Sequence, residues 1–152
     1  MKPKHIKAFM QIANNFAACS TAVRLQVGAI MVKDGRIISI GYNGMPSGWD
    51  NCCEKVVDVS PNDPRYDYNN FTKELKTKPE VLHAEANAIA KIARSSESSE
   101  GAVMFITHSP CMECSKLLYQ AGIIKIYYGE NYRDSAGLDF LKKCNIAVEQ
   151  LI

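Results

Sequence analysis

The chain has 152 residues, 47% of them hydrophobic and 22% charged, with 18 Lys and Arg against 16 Asp and Glu. That length can bury a core without disulfide staples, and nothing in it approaches the run of apolar residues a membrane-spanning helix needs. A formal net charge of +2 lacks the basic bias of a groove for long nucleic acid, so neither a membrane nor a nucleic-acid polymer is expected as a partner.

The first residues, Met1-Lys2-Pro3-Lys4-His5, are charged and lead into an interrupted, helix-periodic stretch instead of a signal-peptide core, so the chain reads as cytoplasmic. Apolar residues at Ile6, Phe9, Met10, Ile12, Ala13, Phe16 and Ala17 predict a helix over 6–18. Two Val- and Ile-rich runs, Gln26 to Lys33 and Arg36 to Tyr42, predict strands joined at Asp34-Gly35, a hairpin turn signal. Trp49 to Pro79 is polar, carries Pro61, Pro64 and Pro79, and reads as a long surface loop inserted in one domain spanning 1–152. A helix is expected over 81–93, with Thr77-x-x-Glu80 as a capping box that starts it early, or with a start near Leu82. Val103 to Thr107 reads as a buried strand. Ser109-Pro110 reads as an N-cap and first helical position, and Gly122 stops the helix that follows. A strand over 123–128, a helix over 136–143 and a last strand over 146–151 complete the order αββαβαβαβ. That order implies an α/β fold with a central mixed five-stranded sheet, its late strand–helix–strand crossovers parallel.

Six cysteines need placing: Cys19, Cys52, Cys53, Cys111, Cys114 and Cys144. In an intracellular chain, a Cys-x-x-Cys pair with a His is metal-binding or redox before it is a disulfide framework. Cys111 and Cys114 are three apart, so a helix puts both sulfurs on one side, and in its first turn the positive helix end favours thiolate. Two thiolates and the His83 imidazole suit Zn²⁺ with a fourth position open for water. Glu85, two residues from His83, is close to such a metal without having to bind it, and a carboxylate there can shuttle protons. A purely structural zinc site and a thioredoxin-type redox pair are the competing explanations, and Glu85 alone could be a solvated helix residue. The combination His-x-Glu with Pro-Cys-x-x-Cys resembles the pattern of zinc-dependent nucleobase deaminases.

Further segments resemble the deoxycytidylate (dCMP) deaminase family. They are Gln26-Val27-Gly28-Ala29-Ile30, Gly41 to Gly48, Leu82 to Ile89, Thr107 to Cys114 and Gln120-Ala121-Gly122-Ile123, in family order across most of the chain. The resemblance implies a three-layer α/β/α cytidine-deaminase-like fold and hydrolysis of dCMP to dUMP and ammonia, which supplies the thymidylate precursor. It also implies a homo-oligomer, a hexamer by preference, activated by dCTP (with Mg²⁺) and inhibited by dTTP, in the cytoplasm or, for a phage-encoded chain, the host cytoplasm. Asn43 matches the family asparagine near the nucleotide sugar; the alternative is a turn asparagine. Arg24 stands where relatives place a basic residue near the phosphate, and Tyr132-Arg133 matches a pair near the substrate in some members. An ordinary surface arginine or core tyrosine would look the same. Some relatives build a second, structural zinc site in the insertion, for which Cys19, Cys52, Cys53 and Glu80 are the candidates here, although the insertion has no histidine. Other deaminases of the superfamily (tRNA adenosine, cytidine or guanine) and a non-catalytic zinc-binding interaction module are the alternatives.

Overall fold

The structure, a computed structural model, describes residues 1–69 and 72–151. Eleven elements follow in order among them: α1 (Pro3–Ala17), β1 (Gly28–Lys33), β2 (Arg36–Tyr42), β3 (Glu54–Asp58), β4 (Lys73–Thr77), α2 (Ala84–Ala93), β5 (Val103–His108), α3 (Met112–Gln120), β6 (Lys125–Glu130), α4 (Ala136–Lys143) and β7 (Ala147–Gln150). Five strands make one sheet in the order β2-β1-β5-β6-β7. β1 runs antiparallel to both β2 and β5, while β5, β6 and β7 are parallel. The expected mixed five-stranded sheet is therefore present.

Strand alternation decides which helices cover which face. Ile30, Val32, Phe105 and Tyr127 pack with Met10 and Ala13 of α1 on one side. Their neighbours in sequence, Ala29, Met31, Met104, Ile106 and Ile126, pack on the other side against α2, α3 and α4 through Ala88, Ile92, Leu118 and Leu141. The result is three layers. Phe105 sits at the centre of the α1 side, stacked on Tyr127 at 4.9 Å and tilted against Phe9 at 5.5 Å.

Asp34 (φ 50°) and Gly35 (φ 75°) both lie in the left-handed region, the backbone of the tight hairpin that Asp-Gly predicts. Gly41 has a different task. A Cβ there would overlap the Ala84 carbonyl oxygen, so only glycine lets the first turn of α2 close onto β2.

Three local expectations fail, each for a physical reason. Residues 49–79 are not a bare loop: β3 and β4 form an antiparallel ribbon in which Val56 faces Leu75 and Asp58 faces Lys73. Its strands are short and charge-rich, so period-2 alternation is too weak to read against the surrounding prolines. The ribbon is anchored to the body where Lys78 N donates to Cys53 O and the Glu54 carboxylate accepts from Val23 N and Arg24 N. Thr77 lies in β4 and caps no helix, so the capping box fails and the alternative start near Leu82 holds: α2 starts at Ala84 with His83 as its N-cap. Ser109 caps nothing either, because Cys111 is the N-cap of α3 and the Ser109 hydroxyl accepts from Tyr132 N at 2.7 Å.

Candidate metal and catalytic site

Two helix N-termini meet beside the carboxyl ends of the central strands. His83 and Cys111 occupy the N-cap positions of α2 and α3, and neither side chain bonds the helix it caps. Their carbonyls accept the first helical bonds, from Asn87 N and Ser115 N at 2.9 Å each. N-caps are ordinarily Ser, Thr, Asp or Asn, whose oxygen satisfies an orphan helix N–H. An imidazole and a thiol forgo that contribution, and their donor atoms face one another instead.

His83 Nδ1 lies 3.6 Å from Cys111 Sγ and 3.4 Å from Cys114 Sγ. All three ligand atoms fall within 4.8 Å of each other, the one such group of His, Cys, Asp and Glu among the described residues. Tetrahedral zinc with bonds of about 2.05 Å to nitrogen and about 2.3 Å to sulfur sets N and S about 3.6 Å apart. The observed spacing fits. Protonation fits as well. Hydrogen bonding from Cys114, then from His83, draws the Cys111 thiol down to about 3. Cys114 is pushed up, first by Cys111 and next by burial, because two touching sulfurs do not both ionise without a cation between them. A divalent ion held by the three side chains would supply that cation.

Glu85 is 4% exposed in the first turn of α2. Burial raises its carboxyl above the usual range, which is the shift that suits a group passing protons near neutral pH. Glu85, His83 and Cys111 line a cavity of about 360 Å³, within the range of small-molecule sites.

The structure brings Arg24, Asn43, Tyr132 and Arg133 to the walls of that same cavity. Asn43 is partly committed: its Oδ1 accepts from Val27 N and its Nδ2 donates to Leu25 O, each at 2.8 Å. It pins the segment leading into β1 and keeps one N–H and one lone pair for a ligand. Arg24 is exposed and donates to Thr77 Oγ1 at 3.1 Å. The Arg133 guanidinium lies 5.3 Å from the Tyr132 ring. The insertion candidates do not gather. Cys19 bonds to Asn15 O, Cys52 to Glu54 O, and Cys53 is buried beside Thr21, while Glu80 is exposed.

Sequence reasoning passed over three carboxylate and imidazole groups in the cavity wall: Glu54, His108 and Glu130. Glu54 and Glu130 carried no signal, being ordinary charged residues at strand ends. His108 did carry one, three residues before the first cysteine of the Cys-x-x-Cys pair.

An α/β/α sandwich that gathers an imidazole and two thiols at paired helix N-termini, with a buried glutamate beside them, defines a zinc-dependent hydrolase. The chain belongs to the cytidine and deoxycytidylate deaminase family, whose zinc-binding-region model matches residues 3–130. It is 35% identical to the deoxycytidylate deaminase of enterobacteria phage T4, over 91% of this chain and 86% of that protein. Among solved structures, the dCMP deaminase of cyanophage S-TIM5 in complex with dCMP and dUMP is 42% identical, covers 99% of both chains and superposes with a TM-score of 0.83. Guanine deaminase from Bacillus subtilis, 21% identical with 94% of this chain and 76% of that one covered and a TM-score of 0.51, shares the fold alone.

Proposed function

We propose that this chain hydrolyses dCMP to dUMP and ammonia. The observation that carries the reading is the convergence of His83, Cys111 and Cys114 beside buried Glu85, in a cavity that also exposes guanidinium groups. The chain's likeness, at 42% identity over 99% of both chains, to an enzyme solved with dCMP and dUMP supports the substrate.

In this mechanism His83 Nδ1 and the Cys111 and Cys114 sulfurs would hold Zn²⁺. Zinc bound there would supply a water acidic enough to serve as nucleophile near neutral pH. Glu85 takes the proton of that water as it attacks C4 of the cytosine ring and delivers it to N3. It then takes the remaining proton from the new C4 hydroxyl and passes it to the exocyclic nitrogen; the C4–N bond breaks, ammonia leaves, and the former hydroxyl oxygen becomes O4 of uracil. Burial of Glu85 suits both halves, since a raised carboxyl gives protons back as readily as it takes them. Arg24 and Arg133 meet the phosphate, Tyr132 packs beside the substrate, and Asn43 uses its remaining hydrogen-bonding capacity on the nucleotide. Every site role belongs to a single catalytic domain over 1–152.

Ammonia release measured across dCMP, CMP, deoxycytidine, dCTP and dAMP, with and without a zinc chelator, tests this. Chelator-sensitive release greatest with dCMP is the expected outcome; preference for a base or nucleoside without phosphate would refute the phosphate roles. The regulatory part of the reading places a homo-hexamer in the cytoplasm, activated by dCTP with Mg²⁺ and inhibited by dTTP. Hyperbolic kinetics indifferent to both nucleotides would remove it. One zinc per chain is expected, since Cys19, Cys52, Cys53 and Glu80 stand apart; a metal content of two would reinstate the insertion site.

A further inference from the structure

His108 ends β5 and stands opposite Glu130, the last residue of β6, in parallel register. Open α/β sheets take their ligands at the carboxyl ends of such strands, and both side chains line the cavity that holds Glu85. A hydrogen-bond chain fixes the imidazole. Gly28 N donates to Thr107 Oγ1 at 3.1 Å, and Thr107 Oγ1 lies 3.1 Å from His108 Nδ1. Thr107 is 5% exposed, so its hydroxyl proton needs an acceptor inside the protein, and among the described residues Nδ1 is the one within reach. Nδ1 therefore carries the lone pair and Nε2 carries the hydrogen.

That Nε2–H faces Glu130 Oε2 at 3.4 Å, too long for a good hydrogen bond. The His108 side chain is 14% exposed and Glu130 82%. A fixed donor and a loosely held carboxylate acceptor thus stand side by side on the cavity wall. A hydroxyl group is the ligand that satisfies both, accepting from Nε2–H and donating to the carboxylate. A phosphate is disfavoured there by the charge of Glu130. It has better partners in Arg24 and Arg133, neither of which forms an ion pair among the described residues.

We propose that His108 and Glu130 form a specificity pair that reads a pentose hydroxyl of the nucleotide substrate. This rests on the dCMP reading above and adds residues that it does not use. On a deoxynucleotide the 3′-hydroxyl is the group available. Binding it helps the ground state and the transition state alike, so its loss appears mainly in KM.

The test compares dCMP with its 2′,3′-dideoxy analogue. The native protein should favour dCMP by about 10- to 100-fold in kcat/KM, the worth of a hydrogen bond to a charged partner, most of it in KM. In Glu130→Ala, whose exposed side chain spares the fold, and in His108→Ala, the preference should collapse toward unity; Glu130→Gln, which keeps an acceptor oxygen, should retain part of it. Dissociation constants of both nucleotides on Glu85→Gln protein give the same ratio without turnover. Equal affinity for the two, failure to bind either, or an undiminished preference in Glu130→Ala would overturn the pair. Absence of ammonia release from dCMP alongside a preserved binding preference would overturn the deamination reading and leave the pair standing.

Discussion

Replacing Gly41 with alanine tests whether the closeness of α2 to β2 sets the catalytic geometry. The added Cβ would overlap the Ala84 carbonyl oxygen and stand 2.8 Å from Ala88 N, where ordinary contact begins at 3.4 Å, so α2 must withdraw by at least about 0.6 Å. Both atoms are backbone, so no rotamer change relieves the clash. His83 and Glu85 ride on the retreating end of the helix, while Cys111 and Cys114 ride on α3 and stay put. Overpacking of this kind costs about 1–3 kcal/mol, or about 2–4 °C in Tm per kcal/mol for a chain of this size. Misplacement approaching 1 Å costs up to about 100-fold in rate. Differential scanning fluorimetry should show a lower Tm, steady-state kinetics on dCMP a kcat reduced by about 10- to 100-fold, and metal analysis weaker zinc retention. An alanine variant with native Tm and native kcat would refute the argument that this glycine holds the helix in register with the site.

Other outcomes follow from single contacts. Arg24→Ala should raise KM for dCMP by about tenfold or more and change kcat less, since a phosphate contact remote from the ring contributes uniform binding; an unchanged KM places the phosphate elsewhere. Phe105→Ala removes a fully buried ring between Phe9 and Tyr127 and should cost about 3–5 kcal/mol in denaturant unfolding. In the insertion, hydrogen bonds from Arg65 hold the Asp63 carboxyl at about 2, below its ordinary 3.8. The folded value is the lower one, so the contribution is complete above about pH 4 and lost as pH falls through 2. A carboxylate-carbon NMR titration with a midpoint near 4 would show that Asp63 and Arg65 do not pair.

Much of the fold was readable because it obeys local rules. Phe9, Met10 and Ala13 repeat at helical spacing, and Ile30 and Met31 alternate across the sheet. Asp34-Gly35 turns as that dipeptide requires. The metal residues were readable because Cys111 and Cys114 are close in sequence and His83-x-Glu85 lies within one turn. What escaped breaks a local rule or depends on distant partners. His83 and Cys111 cap helices without acting as caps, so ordinary capping residues point to Ser109 for one helix and offer Thr77-x-x-Glu80 beside the nearer start at Leu82 for the other. Asn43 spends much of its amide on Leu25 and Val27, 18 and 16 residues away respectively. Glu54 and Glu130 reach the cavity only once the ribbon is anchored and β6 is paired with β5. The charged ribbon itself hides its alternation, since Val56 and Leu75 are its exposed cross-strand pair.

The most direct measurement is ammonia release from dCMP by the native protein and by Glu85→Gln at matched zinc content. Loss of a positioned proton carrier should lower kcat by about 10²- to 10⁴-fold while zinc binding and Tm stay near native, because the glutamine fills the same space and the three metal ligands are untouched. Equal turnover by the two proteins would contradict the role of Glu85 and with it the proposed chemistry of the site.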